Sequence, residues 1–282
     1  MNPDDVTLVI PCYDVADTVG RTLSSVTALD PAPARVLCID DGSTDGTRAV
    51  IESREGVELV EHEVNRGLGA TLNDALDRVE TPGFAKVDAD VLVERDWLGM
   101  TCAAMAERDA AVVQCRFEEQ VTTAADEWRD KHPSPDFPDE PRMNEPINGA
   151  TVLCRTDALR DVGGWDDRFE RAFDDIDLFL RLVDAGYRVY YTPSVVTTHI
   201  RTDTWREALR TAWAYHYDPR VGRGDPRQAS DALLRLPGIL ESARQSIVSD
   251  FRRRDLDILW ISLLRPFYHV TWDVQSVRRA RR

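Results

Sequence analysis

Two aspartates one residue apart, Asp88 and Asp90, lie in the stretch KVDADVLVE (residues 86–94). Carboxylates so spaced at a strand end can hold a hard divalent cation such as Mg2+ or Mn2+, one directly and the other through its hydration shell or a sugar hydroxyl. Taken alone, a plain polar strand end looks the same. The run IDDGSTDGT (39–47) brings Asp40 and Asp41 to a turn where a carboxylate can accept from a nucleobase N–H or a ribose hydroxyl, with Ser43 or Thr44 as a cap for the helix that follows. In NRGLGATLNDAL (65–76), Asn65, Arg66 and two glycines precede a helix start, which suits an anion such as a diphosphate. FDDIDLFLRL (173–182) opens a helix with Asp174, Asp175 and Asp177, more acid than capping alone requires. His199 ends the β-rich VVTTHI, where a lone histidine is more often a structural group than a metal ligand.

The elements that must position these groups alternate. VTLVIPCYD, RVLCIDD, VELVEHE, GFAKVDAD and AAVVQCRF read as strands, and ADTVGRTLSSVTAL, STDGTRAVIESR, LGATLNDALDRV and WLGMTCAAMAE read as the helices between them. A βαβα order predicts a mainly parallel sheet with helices on both faces and a ligand crevice at the strand C-terminal ends. Asp14, Asp40, Asp41, Asp88 and Asp90 all fall at such ends. From Glu118 to Pro146 the pattern stops, and five prolines among charged residues predict a long loop. Order resumes with INGATVLCRTDAL, a helix at DIDLFLRLVDAG, and strands at YRVYYTP and SVVTTHI. Beyond Thr202 the chain reads as helices, broken near DPRVGRGDP and LPG.

The net charge of −15 excludes wholesale binding of nucleic acid by a basic face. Only two of the 35 basic residues are lysines, Lys86 and Lys131. An acidic, lysine-poor surface suits a salt-saturated cytoplasm, and a GC-rich genome is the alternative explanation. Residues 243–282 run against the trend, with nine arginines and four aspartates. The five cysteines are widely spaced in apolar runs and read as buried thiols in a reducing compartment. MNPDDVTLVIP enters a strand pattern without signal-peptide features, and the longest apolar run, LDILWISLL, is well short of the ~20 residues of a membrane span. The expectation is a cytoplasmic protein, peripheral on the inner face of the membrane.

Taken together, IPCYDVADTVGRTLSSV, IDDGSTDGT, NRGLGATLNDAL, VDADVLVERDWL, NGATVLCRTDALRDVGGWDDRF and DDIDLFLRLVDAGYRVYYTP, with a following histidine, resemble glycosyltransferase family 2, and a haloarchaeal member in particular. The resemblance covers roughly residues 5–200. It implies an α/β GT-A fold and an inverting enzyme that uses Mg2+ or Mn2+ and a nucleoside diphosphate sugar, UDP-linked by preference. It places Pro11, Tyr13, Asp14, Asp40, Asp41, Asn65, Arg66 and Asp88 around the donor, with Asp41 on the base and Arg66 facing the nucleotide. Asp90 becomes the metal ligand, with Asp88 and His199 beside it. Asp175 becomes the general base, with Asp174 and Gly149 on the acceptor side. The family usually has Glu-Asp where this chain has Asp174-Asp175. The Gln-x-x-Arg-Trp motif of processive members is missing, which implies transfer of a single sugar.

The expected organisation is a catalytic domain at 1–202 and a helical, basic extension at 203–282. Within the first, 1–117 would be the nucleotide-binding half, 118–146 an acceptor-side loop and 147–202 the acceptor half with the base. The tail FRRRDLDILWISLLRPFYHVTWDVQSVRRARR mixes arginines with Trp, Phe and Leu, the composition of an interfacial helix. It reads equally as a helix packed against the catalytic domain. A lipid-facing tail on a non-processive transferase leads to a dolichol-phosphate-linked glycan as acceptor. A nucleotidyltransferase and a non-catalytic nucleotide-sugar-binding module are the competing classes. The first would carry a Gly-rich, basic loop after its first strand, where this chain has PCYDVADTV.

Overall fold

Val6–Cys12 is buried along its whole length, as a strand covered by helices on both faces must be. The computed structural model describes residues 1–132, 137–169, 173–215 and 226–280. In chain order the elements are β1 (Val6–Cys12), α1 (Ala16–Thr27), β2 (Arg35–Asp40), α2 (Thr47–Glu52), β3 (Val57–Glu61), α3 (Leu68–Arg78), β4 (Gly83–Val87) and β5 (Val91–Leu92). There follow α4 (Trp97–Arg108), β6 (Val112–Glu119), α5 (Ala124–Lys131), β7 (Arg142–Met143), β8 (Thr151–Arg155), α6 (Thr156–Asp161), α7 (Asp174–Asp184) and β9 (Val189–His199). Helices α8 (Trp205–Ala214), α9 (Ala229–Arg253) and α10 (Leu259–Ala280) complete the described chain.

Residues fall into two compact units, Met1–Glu118 with Asp136–Arg201, and Glu119–Pro135 with Thr202–Arg282. The first is built on a sheet of order β3-β2-β1-β4-β8-β6-β9-β5, with β7 paired to β9. Strands β3, β2, β1 and β4 run parallel, in the register Cys12↔Asp40 and Val9↔Lys86. Antiparallel β8 and the β5–β9 and β7–β9 pairs extend it. Because β1 is flanked by β2 on one side and β4 on the other, the chain reverses its direction of travel across the sheet there. A crevice opens at such a switch point, beyond the C-terminal ends of the strands. One face of the sheet buries Leu8, Ile10, Val19, Leu23 and Trp97, and the other buries Leu37, Ile39, Leu72, Leu178 and Phe179. Truncating any of these large aliphatic side chains to Ala costs about 2–5 kcal/mol.

The second unit is helical, packed around Trp128, Leu209, Ile258 and Ile261. The stretch 118–146, expected as one loop, contributes α5 to it and β7 to the sheet. Helix α5 forms because Thr123 accepts from the Asp126 amide at 3.2 Å while Asp126 accepts from the Thr123 amide at 2.9 Å, a reciprocal cap legible as T-x-x-D. The two strands expected at 187–200 are one, β9, which runs through Pro193. The break expected at LPG is absent, since Pro237 lies inside α9. Most of the break expected at DPRVGRGDP lies outside the described residues. Among the described residues no helix is long and apolar enough to cross a membrane.

Candidate active site

The parallel strand ends build the first part of the site. A cleft of about 720 Å3 is lined by Pro11, Cys12 and Tyr13 from the end of β1, Asp41 from beyond β2, Asn65–Gly69 and Thr71 from the start of α3, and Asp167 and Phe169. Five of the residues expected at the donor, Pro11, Tyr13, Asp41, Asn65 and Arg66, are gathered here.

Asp41 ties this cleft together. One carboxylate oxygen accepts from the Arg66 amide at 2.9 Å and lies 2.6 Å from His62 Nδ1, and the other accepts from the Gly67 amide at 2.9 Å. Gly67 has φ +89°, a backbone conformation that only glycine adopts without strain. Asp40 faces inward instead and accepts from the Ser43 amide at 3.1 Å and from the Ser43 hydroxyl. Neither Ser43 nor Thr44 caps α2, which begins at Thr47, whose amide donates to Asp45 at 2.9 Å. Asp14, in the left-handed region at φ +48°, accepts from the Thr44 amide at 2.8 Å and joins the first two loops. Two of the acids expected at the donor therefore hold loops in place.

The remaining acids surround a buried lysine. Lys86 Nζ lies 2.5 Å from Asp88 Oδ1 and donates to the Gly149 carbonyl at 2.8 Å. Its ammonium keeps a raised pKa: burial opposes the charge, and Asp88, Asp174 and Asp175 outweigh burial. Each acid shares that one cation with two other acids. Burial, and then the charge of Asp174, push Asp175 up to about 6, against the pull of Lys86 and of the Ile176 amide, which donates to it at 2.7 Å. Burial also raises Asp174 and Asp88. Asp177 is engaged elsewhere, accepting at 2.8 Å from Arg181, which in turn donates to the carbonyls of Val162 and Gly164.

Strand pairing brings His199 to Asp90. Val91 pairs with His199, the Ile200 amide donates to the Asp90 carbonyl at 2.8 Å, and His199 Nε2 lies 3.3 Å from Asp90 Oδ2. Burial would raise the Asp90 carboxyl, but His199 and the nearby Arg201 outweigh it and hold the pKa below the usual range. Among the described residues no group of three or more His, Cys, Asp or Glu is placed to hold a metal alone. Asp90 and His199 form an oxygen–nitrogen pair, while Asp88 is drawn to Lys86.

Three contributors escaped sequence reasoning. Lys86 was visible as a charge inside an apolar strand of a protein with two lysines. His62 carried no local signal. The Asp166–Phe169 turn reaches the cleft because Asn73 receives the Trp165 amide and donates to its carbonyl, each at 2.8 Å. Gly164 makes room for that clamp, since a Cβ there would lie 2.3 Å from the Asn73 side-chain oxygen.

A nucleotide-sized cleft at the switch point of an α/β sheet, beside a group of strand-end acids, is the architecture of GT-A glycosyltransferases. A sequence model of glycosyl transferase family 2 matches residues 7–164, more than half of the chain, and the chain belongs to that family. It is 29% identical over 205 residues to the pre-mycofactocin glycosyltransferase of Mycobacterium tuberculosis, covering 69% of this chain and 42% of that one. It is 24% identical over 246 residues to the poly-beta-1,6-N-acetyl-D-glucosamine synthase of Staphylococcus epidermidis, covering 76% and 55%. The chain thus spans about half the length of these relatives or less. Among solved structures, the mannosyltransferase PcManGT of Pyrobaculum calidifontis, in complex with GDP-Man and Mn2+, superposes with a TM-score of 0.62 at 19% identity, over 98% of this chain and 88% of that one. TarS 1-349 of S. aureus, in complex with UDP-GlcNAc, superposes with a TM-score of 0.58 at 18% identity, over 99% and 90%. The fold is GT-A.

Proposed function

We propose that the chain is an inverting, metal-dependent glycosyltransferase. It moves one sugar from a nucleoside diphosphate sugar, UDP-linked by preference, to a hydroxyl of a lipid-linked acceptor, a dolichol-phosphate-linked glycan used in protein N-glycosylation. The observation that carries the reading is Asp175, a carboxylate at the start of α7 with its pKa pushed to about 6, so that it is ionised yet basic near neutral pH. The donor complexes of the Pyrobaculum and Staphylococcus structures, with GDP-Man and UDP-GlcNAc, support a nucleotide-sugar donor.

In this reading the diphosphate lies at the α3 start, where Arg66 and the helix N-terminus oppose its charge. Asp175 takes the proton of the acceptor hydroxyl as that oxygen bonds to the anomeric carbon. The bond from that carbon to the β-phosphate oxygen breaks, and the electron pair leaves with the nucleoside diphosphate. Configuration inverts because attack and departure occur on opposite faces. Asp90 and His199, an oxygen–nitrogen pair, would hold Mn2+ or Mg2+, and the cation would supply neutralisation of the leaving diphosphate. Lys86 keeps Asp88, Asp174 and Asp175 from repelling one another out of position.

A screen of nucleoside diphosphate sugars with Mn2+ and Mg2+ tests the reading. Metal-dependent release of nucleoside diphosphate from one donor, abolished by Asp175→Asn when an acceptor is present, is expected. Full transfer by Asp175→Asn overturns the assignment of the base.

A further inference from the structure

Helix α10 packs Ile261, Leu264, Tyr268 and Trp272 on the core of the helical unit, yet it carries a second apolar stripe that faces outward. Ser262, His269, Asp273 and Ser276 are buried in the helical unit, whereas Trp260, Leu263, Phe267, Val270 and Val274 are exposed, Phe267 by 66% and Leu263 by 55%. At 100° per residue those five side chains fall within an arc of about 80°, a single stripe. Helix α9 likewise buries Ile239 and Ala243 and still presents large apolar side chains outward. Arg235, Ser246 and Asp250 are buried, and Leu233, Leu240 and Phe251 are exposed.

The inward polar groups are engaged with one another. Ser262 donates to Asp250 at 2.6 Å and receives Trp128 Nε1 at 2.9 Å, and Trp213 Nε1 donates to Asp273 at 2.7 Å. Arg235 Nε lies 3.3 Å from the other Asp273 oxygen. The contacts Asp250–Ser262 and Ser246–Arg265 show that α9 and α10 run antiparallel. A hairpin that keeps a hydrogen-bonded polar network within its core and leaves a continuous stripe of large apolar side chains outside it presents a surface suited to an apolar phase.

Charge identifies that phase. Exposed Arg252, Arg253 and Arg254 stand where α9 ends, beside the exposed Leu256, and exposed Arg278 and Arg279 stand at the far end of α10. We propose that this face docks on an anionic lipid surface, with the stripe among the acyl chains and the arginines on the headgroup phosphates. The hairpin lies flat, since neither helix is apolar enough to span. A second copy fits the face poorly. Arginines at both ends of the hairpin would meet like charge in either orientation of self-pairing. The inference stands on the helical unit alone and does not depend on the donor chemistry.

Flotation of the full chain with vesicles of phosphatidylglycerol and phosphatidylcholine, against phosphatidylcholine alone, tests it. Binding to the anionic vesicles is expected, weakening as salt rises. Leu263→Glu with Phe267→Glu should lower partitioning about a hundredfold, roughly tenfold for each side chain withdrawn from lipid. Arg252→Gln with Arg254→Gln should lower it about tenfold and flatten the salt dependence. All these positions are exposed, so both variants should keep the wild-type circular dichroism and the same rate of donor hydrolysis. Failure of the wild type to float with anionic vesicles overturns the proposal, as does unchanged flotation of the Leu263/Phe267 variant. A lipid-free dimer that this variant dissolves would assign the face to a second copy and overturn it equally.

Discussion

Gly149 and Asp175 are pressed together so closely that a Cβ on the glycine would fall 2.4 Å from the Cβ of the aspartate. The same glycine presents its carbonyl to Lys86 at 2.8 Å. Asp175, the proposed base, and Lys86 therefore meet across a residue that must lack a side chain. Gly149→Ala is expected to displace Asp175 and lower kcat about a hundredfold, the scale of an ångström-sized misplacement. Its donor KM, set at the cleft lined by Arg66, should stay near wild type. Steady-state kinetics in both substrates check this.

Asp175 also sets a pH dependence. With its pKa at about 6 against an ordinary 3.8, Asp175 is mostly ionised only above that point, so if it is the base, as proposed, transfer should rise with pH through a midpoint near 6. Stability follows the opposite course. A carboxyl whose folded-state pKa is raised contributes stability that is complete below pH 3.8 and is lost as pH rises through about 6. Asp175→Asn should therefore raise the melting temperature above pH 6 while it lowers transfer by about 10²–10⁴-fold. Thermal melts across pH, beside the rate profile, make the comparison.

Among the described residues, Lys86 is the cation that the strong influences on Asp88, Asp174 and Asp175 have in common. Lys86→Met removes it and leaves acids crowded in a buried site, a change that costs about 3–5 kcal/mol where a buried pair is broken. Urea denaturation measures that loss. In any variant that remains folded, the activity midpoint should move to higher pH, because the pull that lowers Asp175 is gone.

The Asp90–His199 pair makes a prediction about metal. His199→Ala should weaken Mn2+ binding in the presence of UDP about 10–100-fold, read by titration calorimetry. The Asp88→Ala/Asp90→Ala double variant should fold and be inactive. Metal-dependent transfer by that double variant would return both acids to the role of a strand end.

Much of the sheet could be read from sequence because its signals are local. Val6–Cys12, Arg35–Asp40 and Gly83–Val87 are buried apolar runs that end in or beside acids, so period and punctuation agreed. What escaped depends on partners distant in sequence. That Asp41 holds Arg66 and Gly67 in place is settled by hydrogen bonds across 25 and 26 residues. Lys86 became intelligible only once β8 brought Gly149 and α7 brought Asp175 to it. Helix α5 was masked by its polar composition, although Thr123 and Asp126 spelled its cap. Pro193 and Pro237 suggested breaks that tertiary packing overrode. In α9 and α10 Ile239, Ala243, Ile261 and Val277 go to the core while Leu233, Leu240, Leu263 and Phe267 face outward, so a rule that sends every apolar residue inward would misplace the second set.

The three hydrogen-bond links of Asp41 have a consequence for how fast and how tightly a donor can bind. With the Arg66 and Gly67 amides and the His62 ring already gathered on one carboxylate, the loop at the cleft is in place before any ligand arrives. Association then loses little conformational entropy and waits on no ordering step. Asp41→Ala should return that entropy to the loop and appear chiefly as a slower on-rate for nucleotide.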